Sequence, residues 1–203
     1  DKISALAELE KLYKGAKPAL KFTTPYELLV AVILSAQCTD ARVNIVTEKL
    51  FENYSTPKAM CTLTQEELEK YIFSCGFYRM KAEHILSASH DILDKFGGEV
   101  PDSIEKLTLL PGVGRKTANL IMGDVYGQPA IVADTHLIRI TNLLGLVNTK
   151  DPKKVELELK KIIAPEKSND FCHRAVLHGR AVCVARRPKC DACCMREYCK
   201  SSK

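Results

Sequence analysis

This chain has no long hydrophobic run. The longest, Leu28 to Leu34, is far too short to cross a bilayer. No secretory signal is visible either, which points to a reducing compartment and a cytoplasmic location, nucleoid-associated in a bacterium. No convincing strand, internal repeat or low-complexity segment is found, so the expected class is all-α. Charge of one sign is scarce over most of the length: residues 1–169 carry 22 Lys/Arg against 22 Asp/Glu. The whole net charge of +5 resides in residues 170–203, with eight basic residues against Asp170, Asp191 and Glu197. A basic end on a neutral body suggests a polyanionic partner.

What is present reads as a succession of helices. Ile3 to Tyr13 is amphipathic, with Ile3, Leu6, Leu9 and Leu12 at helical spacing. Thr24-Pro25-Tyr26-Glu27 has the form of a capping box with proline at the first helical position. The helix it opens, through Ala36, is apolar on every side and belongs inside a bundle. Its exit at Gln37-Cys38-Thr39-Asp40 is abruptly polar and leads to a helix from Ala41 to Phe51. Gln37 therefore stands at the end of a buried rod, although by itself it reads as a loop amide bonded to nearby backbone. A second capping box at Thr64 starts a helix through Ser74, Gly76-Phe77-Tyr78 breaks it, and Arg79 to Phe96 continues to Gly97-Gly98. Phe77 is either a core anchor or an exposed wedge. Further helices follow from the Asp134 cap through Leu144, from Asp151-Pro152 through Ile163, and from Phe171 to Val182.

The stretch from Leu109 to Asn119 organises the rest. Ser103 to Leu110 is a helix, Pro111-Gly112-Val113-Gly114 a tight turn in which positive φ is easy at both glycines, and Thr117 to Tyr126 a second helix. The unpartnered amides that begin a helix can lie against a phosphate without reading sequence. Lys116 begins that second helix, where the helix dipole disfavours a cation. A lysine there should meet phosphate or be held neutral for chemistry.

Nine cysteines in a reducing compartment are more readily metal ligands than disulfides. Cys183, Cys190, Cys193 and Cys199 follow C-x6-C-x2-C-x5-C. Zinc and a [4Fe-4S] cluster both accept four cysteines, and Cys194 offers another register. Cys38, Cys61, Cys75 and Cys172 are scattered and read as small core residues. Between the first two clustered cysteines lie Arg186, Arg187 and Lys189, cations that a metal anchor would hold as a phosphate clamp.

Taken in order, these motifs resemble the endonuclease III family of DNA glycosylase/AP lyases, iron-sulfur members of the helix-hairpin-helix superfamily. The resemblance runs nearly end to end, through Leu34-Ser35-Ala36-Gln37 with Thr39-Asp40, Leu110 to Asn119, Asp134-Thr135-His136, Leu177-His178-Gly179-Arg180 and the four-cysteine tail. It implies two helical lobes with a DNA-binding cleft between them. One is a six-helix domain over 18–129 with the helix-hairpin-helix at about 103–126; the other is a cluster domain of 1–17 plus 130–203. It implies a [4Fe-4S] cluster on Cys183, Cys190, Cys193 and Cys199. Lys116 would be the nucleophile and Asp134 the catalytic carboxylate. Gln37, Phe77, Gly112, Val113, Gly114, Arg115, His136, Arg186, Arg187 and Lys189 would meet DNA. Phe77 departs from the leucine usual at the wedge position, which bears on opposite-base preference. Cys38 replaces a small or hydroxyl residue often found there.

The implied activity is removal of oxidised pyrimidines from double-stranded DNA by a monomer, followed by strand cleavage 3′ to the abasic site by β-elimination through a lysine Schiff base. The neighbouring alternatives are an adenine or mismatch-thymine glycosylase of the same fold, the former usually lacking a lysine at position 116. A non-enzymatic DNA-binding module with structural zinc is the alternative of another class.

Overall fold

A segment apolar on every face has to be enclosed, and Leu28 to Leu34 meets that demand by lying at the centre of one of two packing units. The computed structural model describes residues 2–202, and among these every regular element is helical. In chain order the helices are α1 (Lys2–Leu12), α2 (Pro25–Ser35), α3 (Asp40–Leu50), α4 (Pro57–Met60), α5 (Gln65–Ile72), α6 (Tyr78–Lys95), α7 (Ile104–Leu107), α8 (Arg115–Asp124), α9 (Thr135–Leu143), α10 (Pro152–Leu159) and α11 (Ser168–Ala181). Residues 18–127 form one compact unit, while the segment up to residue 17 joins the chain from residue 128 onward in the other.

In the first unit α2 is the hub, with α3, α6 and α8 packed around it. Leu28, Leu29, Val30, Ala31, Ile33 and Leu34 are all buried, and burying each larger side chain contributes about 1.5–3 kcal/mol. Thr24 caps the helix by accepting from the Glu27 N–H at 3.1 Å, as its sequence indicates. Glu27, however, does not return to Thr24. Its carboxylate reaches one residue further back, accepting from the Thr23 N–H at 2.7 Å and the Thr23 hydroxyl at 2.8 Å, because Thr23 offers two donors. The box at Thr64 is complete: Thr64 accepts from Glu67 N–H, and the Glu67 carboxylate accepts from Thr64 N–H. The first helix of the glycine hairpin is shorter than its spacing suggests. α7 closes at Leu107, and turns carry the chain through Leu110.

One buried cation ties this unit together. Lys81 on α6 is 3% exposed, and its Nζ donates to the Leu34 carbonyl at 2.8 Å and the Cys75 carbonyl at 3.0 Å. Leu34 belongs to the last turn of α2, where carbonyls lack intrahelical partners and a positive charge is favoured. Cys75 closes the 3-10 turn Phe73–Cys75 that follows α5. Burial lowers the Lys81 pKa, and the neighbouring Cys75 and Cys38 oppose that effect.

In the second unit α11 is the hub, with α9 and α1 against it. Leu9, Leu137, Ile140, Val155, Leu159, Phe171 and Ala175 fill the core. The extended strap that follows residue 128 is pinned where the Val132 N–H donates to Cys172 Sγ at 3.3 Å. Among the described residues no helix is long and apolar enough to cross a membrane.

Replacing Lys81 with methionine keeps the stem but strands two carbonyls. The expected cost is about 2–4 kcal/mol, read as a lowered midpoint in urea denaturation. An unchanged midpoint would remove Lys81 from the framework.

Candidate functional site

In the first unit the backbone itself marks two residues. Among the described residues only Gln37, at φ 52°, and Phe77, at φ 46°, are non-glycine residues in the left-handed region. Both are exposed, Phe77 to 60%. A bulky side chain pays for that conformation, so such residues persist where surrounding structure forces them, commonly at ligand sites. Gln37 leaves the enclosed α2, and Phe77 precedes α6; Lys81 grips the chain three residues before the one and two before the other. Phe77 is thus exposed, not a core anchor. Phe73 and Met80 stand exposed near it in sequence.

The hairpin glycines differ from each other. Gly112 has φ 76°, and a Cβ there would lie 2.9 Å from the Cβ of His84 on α6. Gly114 has an ordinary extended backbone, φ −92° and ψ 177°, contrary to the expectation of positive φ at both positions. A Cβ at Gly114 would meet nothing within 4 Å. Nothing inside the fold demands glycine there; its bare backbone opens α8 to an outside group. Val113 is buried beneath the turn, while Arg115 and Lys116 are exposed in the first turn of α8.

In the second unit Asp134 is the N-cap of α9, its Oδ1 accepting from the Leu137 N–H at 2.8 Å. His136 follows in the first turn, with Nδ1 3.2 Å from an Arg139 guanidinium nitrogen. The same guanidinium donates to the carbonyls of Gly179 and Cys183. A Cβ at Gly179 would lie 2.9 Å from the Cβ of His136, so glycine sets the approach of α11 to α9. Arg139 carries no motif of its own; its spacing of three from His136 was the only clue to it.

The cysteine tail wraps a cavity of about 90 Å³ lined by Cys183, Cys190, Cys193 and Cys199, with Leu143, Val182 and Pro188 beside them. Cys194 is not in that lining and has Glu8 of α1 as a neighbour. All nine cysteines are free thiols. Burial pushes the Cys183 and Cys193 thiols up, and Arg139 opposes this at Cys183. Among the described residues no three His, Cys, Asp or Glu side chains converge tightly enough to hold a single metal ion. His178, fully buried, connects the tail to the residue that follows α1: Nδ1 is 3.1 Å from the Tyr13 hydroxyl and Nε2 3.4 Å from Cys193 Sγ. Burial lowers the His178 pKa, which keeps the ring neutral. The sequence singled out the motif around His178 but not this bridging role. A backbone bond from Lys189 N–H to the Val182 carbonyl, 2.9 Å, closes the loop on which Arg186, Arg187 and Lys189 stand exposed.

Residues 30–165 match the family model of the HhH-GPD superfamily base excision DNA repair proteins. The chain is 44% identical to endonuclease III of Synechocystis sp. over 196 residues, covering 96% of this chain and 90% of that one. It belongs to the endonuclease III family. Endonuclease III of Escherichia coli strain K12 is 42% identical over 181 residues, 89% of this chain and 86% of the relative. Among solved structures, a trapped covalent intermediate between an endonuclease III and DNA matches all of this chain and 97% of its own, with TM-score 0.94 and 42% identity. A thermostable thymine-DNA glycosylase shares the fold at TM-score 0.89 and 22% identity, covering 99% of this chain and 96% of its own.

The two hairpin glycines should separate in a stability measurement. Gly112→Ala is expected to lose about 1–2 kcal/mol or more, from the positive φ and the clash with His84. Gly114→Ala is expected to stay within about 0.5 kcal/mol of wild type, a poorer cap offset by a less flexible unfolded chain. Equal melting temperatures for the two would contradict these assignments.

Proposed function

We propose that Lys116 and Asp134 carry the chemistry of this chain, a bifunctional DNA base-excision glycosylase and AP lyase that takes oxidised pyrimidines from duplex DNA as a single chain. The observation that carries the assignment is Lys116, exposed in the first turn of α8 two residues after Gly114, a glycine whose missing side chain nothing in the fold requires. The covalent DNA intermediate trapped in a relative 42% identical supports a nucleophilic side chain.

A base within the duplex hides its sugar C1′, so the nucleotide must leave the stack at a cost of a few kcal/mol. Filling the vacancy offsets that cost. Gln37 and Phe77 are suited to it, since each is held outward on a constrained backbone. The wider ring of Phe77 covers more of an unpaired base than leucine does, which shifts opposite-base preference. The amides of Gly112, Gly114 and Arg115 take one phosphate, while the Val113 N–H is already given to the Leu110 carbonyl at 3.1 Å and shapes the turn instead. Arg186, Arg187, Lys189 and His136 hold backbone elsewhere, positioning without reading sequence.

Neutral Lys116 attacks C1′ and the damaged base departs. The base leaves with a lysine proton, the nitrogen lone pair then opens the C1′–O4′ bond as O4′ takes a proton, and the protonated Schiff base so formed makes the C2′ proton acidic. Loss of that proton expels the 3′ phosphate and cuts the strand on the 3′ side. Asp134 stabilises positive charge growing on the sugar and relays the proton, its carboxylate oriented by the cap bond to Leu137.

Cys183, Cys190, Cys193 and Cys199 suit a [4Fe-4S] cluster: four free thiols line one cavity, and four thiolates are the donor set such a cluster takes. Bound there, the cluster supplies cross-linking of the tail. What the protein's own residues do is hold the base of the cationic loop, through the Lys189 to Val182 bond and the Arg139 contact to Cys183.

Lys116→Ala is expected to bind a lesion duplex yet give no borohydride-trapped adduct; a normal adduct yield would remove Lys116 from the mechanism. Asn caps helices as well as Asp does, so Asp134→Asn should melt within about 0.5 kcal/mol of wild type while turnover falls by orders of magnitude. Near-normal turnover would leave Asp134 only a cap. Purified protein should be brown, with iron and sulfide in equal amounts; zinc alone by metal analysis would overturn the cluster assignment.

A further inference from the structure

Two cysteines outside the tail are neighbours in space although 37 positions apart. Cys75 is 3% exposed and belongs to the core of the first unit, against which the half-buried Cys38 packs. Cys38 is an electrostatic neighbour of the Cys75 thiol, and α3, which begins two residues after Cys38, packs on the 3-10 turn that Cys75 closes. Their locations in the fold make the pair notable. Cys38 follows Gln37 immediately, and Cys75 lies two residues before Phe77, so the thiols sit beneath the only two non-glycine residues in the left-handed region among those described. The segments that bear them are already bridged by Lys81 Nζ, which bonds the carbonyls of Leu34 and Cys75.

We propose that Cys38 and Cys75 form a reversible redox pair, oxidised to a disulfide by a hydroperoxide such as hydrogen peroxide. The more exposed Cys38 meets the oxidant. Its sulfur bonds to one peroxide oxygen, the O–O bond breaks, and the departing hydroxide leaves with the Cys38 proton as water. Cys75 sulfur then attacks the Cys38 sulfenic acid. The S–S bond forms, the S–O bond breaks, and the hydroxyl departs with the Cys75 proton as a second water. Two thiols lose two electrons and one peroxide becomes two waters. Burial, and then the neighbouring Cys38, push the Cys75 thiol up to about 11, with Lys81 and Arg42 opposing. Cys75 therefore rests as the thiol and has to give up its proton as it attacks, which the nearby Lys81 and Arg42 charges favour.

The consequence for DNA rests on the assignment of Gln37 and Phe77 to the lesion. A covalent tie between the turns beneath them removes the independent adjustment each needs while a nucleotide is drawn out of the stack. Oxidation thus slows lesion processing without touching Lys116 or Asp134.

The test uses the cluster-loaded protein under anaerobic conditions, exposed to a few equivalents of hydrogen peroxide, alkylated and digested with trypsin. Cys38 lies in peptide 22–42 and Cys75 in peptide 71–79, so the disulfide appears as a linked pair that dithiothreitol separates. That species, absent from Cys38→Ala, supports the proposal. A Cys38 sulfinic acid, or a bond from either cysteine to Cys61, in place of the linked pair overturns it. Nicking of an abasic duplex is measured in parallel, with cluster absorbance confirming that the cluster survives. Oxidised wild type should slow by roughly ten-fold and recover with dithiothreitol, while Cys38→Ala keeps its unoxidised rate. A linked pair with unchanged nicking supports the redox site and instead overturns the assignment of Gln37 and Phe77 to the lesion.

Discussion

An ammonium group taken out of water must be repaid by partners, and Lys81 finds them in two carbonyls that no helix satisfies. One is at the closing turn of a helix that has no polar side; the other ends a 3-10 turn. Because α2 is enclosed, its exit cannot drift, and because Lys81 holds the 3-10 turn to that exit, neither can the start of α6. The two constrained residues, Gln37 and Phe77, are products of this arrangement. Their left-handed backbones would relax in a free loop; here the chain on either side is fixed.

Much of this was legible in the sequence. The apolar run over Leu28 to Leu34, the caps at Thr24, Thr64, Asp134 and Asp151 and the glycines after Phe96 gave the helices to within a few residues, because capping and periodicity are local. The contracted α7 was not legible: turns from Leu107 to Leu110 keep apolar spacing while abandoning the helix. Nor was the difference between Gly112 and Gly114, since the side chain that excludes a Cβ at Gly112 belongs to His84, far away in the chain. The family announced itself through motif order, and the residues proposed for the site follow from it. Their supports, Lys81, Arg139 and His178, act through contacts between distant helices, and no short pattern encodes those.

The tail shows a similar division. Spacing alone left the register open at Cys194, and the fold leaves that residue out of the cavity lining while the other four line it. His178 and Arg139 tie this cavity to the residue that follows α1 and to α9, so the unit's helical core and its cysteine loop are a single construction. The loop's cations stand at the rim of something anchored on several sides, which suits a grip on a stiff polyanion better than a free tail would.

Gly179 has neither charge nor nucleophile, yet it sets a spacing. The ring of His136 occupies the volume that any larger residue at 179 would claim. Even a methyl group there would act as a shim, prising the start of α9 from α11 and tilting the carboxylate that caps it. A capping carboxylate can therefore be mis-aimed by a change on a different helix, at a position that contributes nothing but the room it leaves.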